Sequence, residues 1–333
     1  MNLLDLFDIR RRERPESVAL AGEGGEEWTY GDLLATAEAL AAGWAEGGLL
    51  RAGERAAFLA GNSPELVVAQ LAALRLGAIV VPINPTYRAR EVAHVLADAE
   101  PRLVVTGGES AGVLEEVVPG ARRSVERVAR LEELDLRERG AAGAGGRLPR
   151  GPDGSDPALL VYTSGTTGKS KGAVLTHDNL LATVTGLLAA WAWRPEDVLL
   201  LTLPLFHVHG LVVGLWTALA AGARVELRRR FDAVAAAEDL AGGPNGGQAG
   251  RTIPGGEPGP PSPTVFFGVP TMYVRLVTEL RRRAGAGHDI SGLARLRLFA
   301  SGSAPLAPET FYAFRDLTGH AILERYGMSE AGM

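Results

Sequence analysis

Cysteine is absent from all 333 residues. That excludes disulfides, thiolate nucleophiles and cysteine-ligated metal, and it leaves the redox compartment open. Lysine is nearly absent: Lys169 and Lys171 are the only two, and arginine carries the rest of the positive charge. An excess of basic charge is lacking too. The formal net charge of −5 offers no general attraction to nucleic acid or an anionic membrane. The clusters Arg10–Arg12, Arg228–Arg230 and Arg281–Arg283 have no aromatics interleaved, so they are expected to be solvated faces with no nucleic-acid groove. No apolar run reaches spanning length without a charge, Gly or Pro, so no membrane span is expected. The opening "MNLLDLFDIRRRERPESV" carries Asp5 and Asp8 in its apolar part, unlike a secretory signal, and the expectation is a cytoplasmic protein.

What remains is a globular composition, 46% hydrophobic and 22% charged, in a chain long enough for two or three compact units. Helical and extended patterns alternate. "SPELVVAQLAALRLGAI" reads as a helix with Ser63 as N-cap, Pro64 at its first position and Gly77 at its end. "ERAAFLAG", "IVVPIN" and "PRLVVTGG" read as strands, with "RAREVAHVLADAE" a helix between the last two. Strand, helix, strand at this spacing predicts an α/β fold with a largely parallel sheet. Residues 138–157 are Gly, Pro and charge, a boundary between a first α/β subdomain (1–150) and a second (151–333). Residues 241–263, "AGGPNGGQAGRTIPGGEPGPPSP", are too poor in apolar side chains to offset ordering entropy and predict a disordered insertion.

Both lysines fall in "VYTSGTTGKSKGAVLTHDN", Val161–Asn179. A buried strand "ALLVY", an exposed loop 163–172 and a helix are predicted in that order. Small residues let backbone N–H groups converge on an anion, hydroxyls add donors, and lysine adds a mobile point charge, so the loop suits phosphate. A flexible surface turn is the plainer alternative. The Walker pattern fails, because it needs Gly where Thr163 stands. His94, His177, His288 and His320 lack metal-ligand spacing and read as packing or surface residues, His177 within the loop motif. His207 and His209, two apart, would share one face of a strand, and a zinc reading of the pair needs further ligands.

"YTSGTTGKSKGAVLTHDN" resembles the signature loop of the AMP-forming adenylating enzymes: acyl-CoA synthetases, luciferases and peptide-synthetase adenylation domains. Ser170 stands where that family usually has Pro. "WTYGDL", "GAIVVPINP", "LPLFHVHG", "GVPTMY", "SGSAPL" and "ERYGMSE" follow in the family's order, from about Trp28 to the end. The resemblance implies the large N-terminal domain of these enzymes, with stacked sheets flanked by helices. It implies activation of a carboxylate by ATP as acyl-AMP, then transfer to coenzyme A. On it, Thr163, Ser164, Gly165, Thr166, Thr167, Gly168, Lys169 and Lys171 would hold phosphates. Ser303, Ala304, Tyr326 and Gly327 would line the adenine side, with Tyr326 stacked on the base. Ser329 would reach the α-phosphate, Thr167 and Glu330 would serve Mg²⁺, and His207 would lie near the phosphates and the acyl entrance.

The resemblance also places His209, Ser303 and Arg325 at the acyl pocket, where relatives taking aromatic or fatty acids are typically aromatic, small or apolar. A buried arginine beside an apolar chain would be an uncompensated charge costing several kcal/mol. A substrate with a second carboxylate would satisfy it through paired, charge-assisted hydrogen bonds. The three segments around these residues resemble the malonyl-CoA and methylmalonyl-CoA synthetases within the family. Three alternatives stand beside that reading: Arg325 paired with a neighbouring acid, a ligase for a monocarboxylic acid, and a nucleotide-binding fragment without catalysis. The chain ends at Met333, shortly after Glu330. The family's ribose-binding aspartate, hinge and mobile C-terminal domain with its adenylating lysine are therefore expected to be absent, and residues 1–333 alone are expected to be poor at thioester formation.

Overall fold

A computed structural model describes residues 2–121, 125–134, 136, 151–163, 170–242 and 261–332. Local signals set many of the elements. Ser63, extended at φ −158°, caps helix Pro64–Arg75 by accepting the Leu66 N–H at 3.1 Å. Thr29 does the same for helix Tyr30–Glu46 through Asp32 N–H. Thr176 and Asn179 form a reciprocal capping box at helix His177–Ala190.

The strands among the described residues are β1 (Val18–Ala21), β2 (Glu27–Thr29), β3 (Arg55–Leu59), β4 (Ile79–Ile83), β5 (Leu103–Thr106), β6 (Arg127–Arg130), β7 (Pro157–Thr163), β8 (Lys171–Thr176), β9 (Val198–Leu201), β10 (Arg224–Leu227), β11 (Val265–Gly268), β12 (Leu298–Ser301) and β13 (Leu323–Glu324). They form a seven-stranded sheet, β13-β12-β11-β9-β10-β1-β2, and a six-stranded sheet, β6-β5-β3-β4-β7-β8. Pairing is parallel except for β1 with β2 and β7 with β8. The sheets do not part near residue 150. β1 pairs with β10, and β7 pairs with β4, so each sheet draws strands from both sides of the expected boundary.

Side chains alternate between two faces along each strand, and the alternation assigns the layers. Ala56 and Phe58 of β3, with Phe267 of β11 and Ala300 of β12, join one core that includes Leu33, Leu40, Val67 and Leu71 of the two central helices. Helix Tyr30–Glu46 packs on β1 and β2, and helix Pro64–Arg75 on β3 and β4, so the pair fills the space between the sheets. Ala57 and Leu59 face a second core against helices Ala89–Ala99 and Ala111–Ala121. Phe266 and Phe299 face a third, with Tyr273 and Phe314 of helices Pro270–Gly285 and Pro308–Thr318.

Three expectations are corrected. The Gly/Thr/Lys loop does not join a strand to a helix; it joins two antiparallel strands in register Thr163↔Lys171, and the helix begins only at His177. His207 and His209 are not on a strand. β9 ends at Leu201, and a π-helix runs from His209 to Trp216. Gly210 permits that turn, since a Cβ there would collide with the Pro204 carbonyl. Nor are the arginine clusters uniformly solvated. Arg11 donates to Glu38 at 2.8 Å, Arg228 pairs with Asp239 at 2.9 Å, and Arg283 is buried beside Glu279. Of the expected insertion, Gly242 caps helix Ala233–Ala241 at φ +94°, and residues 243–260 lie outside the described residues.

Candidate active site

Open α/β sheets bind ligands beyond the carboxyl ends of their parallel strands. β11, β12 and β13 deliver their ends to one place. Gly302 N–H donates to Gly268 O at 3.4 Å, Arg325 N–H to Ser301 O at 2.9 Å, and Leu306 N–H to the Glu324 carboxylate at 2.8 Å. Tyr273, fully buried, donates its hydroxyl to Ala300 O at 2.9 Å and steadies β12 from below.

Ser303 follows at φ +70°, in the left-handed region that a non-glycine residue enters at a cost of about 1–3 kcal/mol. That turn brings Ser303 Oγ to 3.1 Å from His209 Nδ1. His209 is 3% exposed, and its Nε2 has no hydrogen-bond partner among the described residues. Desolvation, with the positive charge of Arg325 and the neighbouring His207, pushes its pKa down to about 3, so the ring is neutral at physiological pH. Arg325 is half-buried, and desolvation lowers its pKa to about 10, which still leaves it charged. The structure thus brings together His209, Ser303 and Arg325. Ala304 is exposed one residue on.

His207 stands apart from that group. Its ring is exposed, tilts against Phe206 at 4.3 Å between centroids, and has its pKa lowered by desolvation. Among the described residues no group of three or more His, Asp or Glu is placed to hold a metal, which leaves the zinc reading of His207 and His209 without ligands.

A second group gathers at the stem of the Gly/Thr/Lys loop. Thr163 Oγ1 donates to Glu330 Oε1 at 3.0 Å, so two motifs 167 positions apart meet. Glu330 and Ser329 lie on the 3₁₀ turn Ser329–Ala331, and Tyr326, just upstream, is 91% exposed. Gly327 is half-buried, and Lys171 is exposed at the start of β8. Ser164, Gly165, Thr166, Thr167, Gly168 and Lys169 lie outside the described residues. His94 departs from its sequence reading: its Nε2 lies 2.8 Å from Ser170 O, tying helix Ala89–Ala99 to the stem. Tyr162, edge-on to His94, donates to Asp98 at 2.7 Å, and its pKa is raised by desolvation and by that bond. Nothing local marks His94, since its partner is 76 positions away.

A second concavity of about 1150 Å³ opens beyond the ends of β3, β5, β9 and β10, lined by Asn62, Gly107, Glu109, Arg228 and Asp239 among others. Asn62 braces its wall by donating to Leu203 O and Arg228 O and accepting from Leu205 N–H. No helix among the described residues is long and apolar enough to cross a membrane.

The family model for AMP-binding enzymes matches residues 7–242 and 261–333, and the chain belongs to that family. Among its relatives is a mitochondrial malonate–CoA ligase, ACSF3, of Homo sapiens, 34% identical over 294 residues that cover 86% of this chain and 47% of that protein. It is also similar to a sulfoacetate–CoA ligase of Cupriavidus necator, 30% identical over 98% of this chain and 60% of that protein. Of solved structures, ATP-bound MatB from Rhodopseudomonas palustris superposes with a TM-score of 0.81 at 30% identity, covering 99% of this chain and 60% of that one. The chain spans about half the length of the curated relatives it matches. Its architecture is that of the N-terminal domain of adenylate-forming enzymes.

Proposed function

We propose that the protein to which these residues belong is an AMP-forming acid–CoA ligase for malonate or methylmalonate. The observation that carries this reading is the convergence of charged Arg325 with neutral His209 and Ser303 beyond the end of β12. A guanidinium in such a place suits an acid that brings a second anionic group, which it can hold by paired, charge-assisted hydrogen bonds. Malonate and sulfoacetate, named for two relatives, each carry a second anion one methylene from the reacting carboxylate.

In the proposed reaction the carboxylate oxygen attacks the α-phosphorus of ATP and pyrophosphate leaves. The thiol of coenzyme A then attacks the acyl carbon, losing its proton, and AMP leaves. Thr163 and Lys171, with the loop residues Ser164 to Lys169, hold the phosphates. Tyr326 stacks on adenine, with Gly327 and Ala304 beside it, and Ser329 donates to the α-phosphate. His207 stands by the phosphates. Mg²⁺ takes oxygen ligands, and the exposed Glu330 carboxylate beside the Thr163 hydroxyl suits it, with Thr167 as a second donor. The metal, when bound, neutralises phosphate charge.

Acid-dependent pyrophosphate release from ATP tests the reading, with malonate, acetate and octanoate as substrates. Malonate is expected to lead. A preference for octanoate would refute the dicarboxylate pocket.

A further inference from the structure

Arg325 is held at its backbone by the Ser301 carbonyl, and its side chain folds back across Gly302. A Cβ built on Gly302 would lie 3.1 Å from Arg325 Nε, 3.2 Å from Cγ and 3.3 Å from Cζ. Three atoms along the stem and guanidinium therefore rest on the bare backbone of one residue. We infer that Gly302 is a specificity-determining position, whose missing side chain lets Arg325 lie where the second anionic group of the acid binds. The inference rests on the dicarboxylate reading above.

The role of Gly302 is not conformational. It is absent from the residues with positive φ, whereas its neighbour Ser303 takes φ +70°. Alanine therefore suits the backbone at 302 without a positive-φ penalty, and the three atoms nearest its Cβ all belong to one side chain. That side chain is long and rotatable, so it yields before the sheet does. A charge-assisted pair with a carboxylate depends on both distance and plane, so a displacement of tenths of an ångström weakens it. Arg325 also helps to keep His209 neutral, so moving the guanidinium alters both groups that face the acid.

Calorimetric titration of the 333-residue chain with malonate, and separately with acetate, tests this. The variants are Gly302→Ala, Arg325→Ala and the two combined. Gly302→Ala is expected to weaken malonate about tenfold and acetate less than about threefold, with the unfolding midpoint unchanged. In the Arg325→Ala background the same substitution is expected to add nothing, because the side chain it displaces is gone. Gly302→Ala binding malonate like the wild type would overturn the inference, as would an equal loss with and without Arg325. A wild-type chain that binds malonate no better than acetate would overturn the dicarboxylate reading, and this inference with it.

Discussion

His177 and His209 are both buried and both neutral, yet their surroundings have little in common. His177 opens helix His177–Ala190, is wholly buried, and has no hydrogen-bond partner for either ring nitrogen among the described residues. Asp156, Asp178 and Asp5 favour its cation, but desolvation outweighs them and lowers its pKa. His209 has Ser303 on Nδ1, Arg325 nearby and a strained backbone turn holding its partner in place. Burial alone is enough to strip a histidine of its proton. An oriented ring needs a partner whose own position is fixed, and only the second region supplies one.

The largest expected effect tests whether the His209 region is more than packing. Arg325→Ala removes the charge, and losing a buried charge-assisted partner costs about 2–5 kcal/mol. Malonate affinity, read by calorimetry, is expected to fall well over tenfold while a short monocarboxylate changes far less. Equal losses on both acids would make the two histidine regions alike.

Acid sensitivity is common to both regions and separates them by mutation. The folded-state pKa values of His177 and His209 lie below the unfolded value of about 6.5. The unfolded chain therefore takes up protons first as pH falls, and native stability is lost below about pH 6.5, for His209 at roughly 1.4 kcal/mol per pH unit. Above that pH the contribution is flat. His177→Leu is expected to be more stable than wild type in urea at pH 5, relative to any difference at pH 8, with malonate affinity shifted less than about threefold. His209→Leu should gain similarly at pH 5 but lose malonate affinity. If His177→Leu also lost the acid, the first region would belong to the site.

Ser303→Gly sharpens the contrast further. Relief of the turn at φ +70° is expected to stabilise the chain by about 1 kcal/mol in denaturant titrations. The loss of the hydroxyl beside His209 should at the same time lower the malonate-to-acetate affinity ratio several-fold, trading stability against discrimination. The smallest effect expected is from Thr163→Val. It deletes one hydrogen bond to Glu330, worth roughly 0.5–1.5 kcal/mol, and should show as weaker magnesium-dependent ATP binding. An unchanged affinity would mean that the stem contact is incidental.

How much was legible differs between these regions for a physical reason. Ser63, Pro64 and the spacing of Leu66, Val67 and Leu71 announce their helix because caps and periodicity act within a few residues. The hairpin of β7 and β8 was missed because "KGAVLT" pairs back on "PALLVYT" across a loop whose Gly and Thr residues read as the lead-in to a helix. The π-helix at His209 is not legible in the sequence: Gly210 sits against the Pro204 carbonyl with no room for a Cβ, a contact that no periodicity encodes. His94 reads as a packing or surface residue because it lacks metal-ligand spacing, and its tie to Ser170, 76 positions away, has no local signal.

By itself the sequence determined the α/β class, the helices that carry their own caps, the family, and which residue types could meet an anion: the Gly/Thr/Lys loop, a lone arginine before "YGMSE" and a histidine after "FHV". Tertiary structure alone decided that they meet. Ser303 reaches His209 across 94 positions and Thr163 reaches Glu330 across 167, through parallel crossovers whose pairing is set by burial on both faces of each sheet. Local propensity acts over one or two turns of chain. The site is assembled from strand ends that only the packing of whole layers brings side by side.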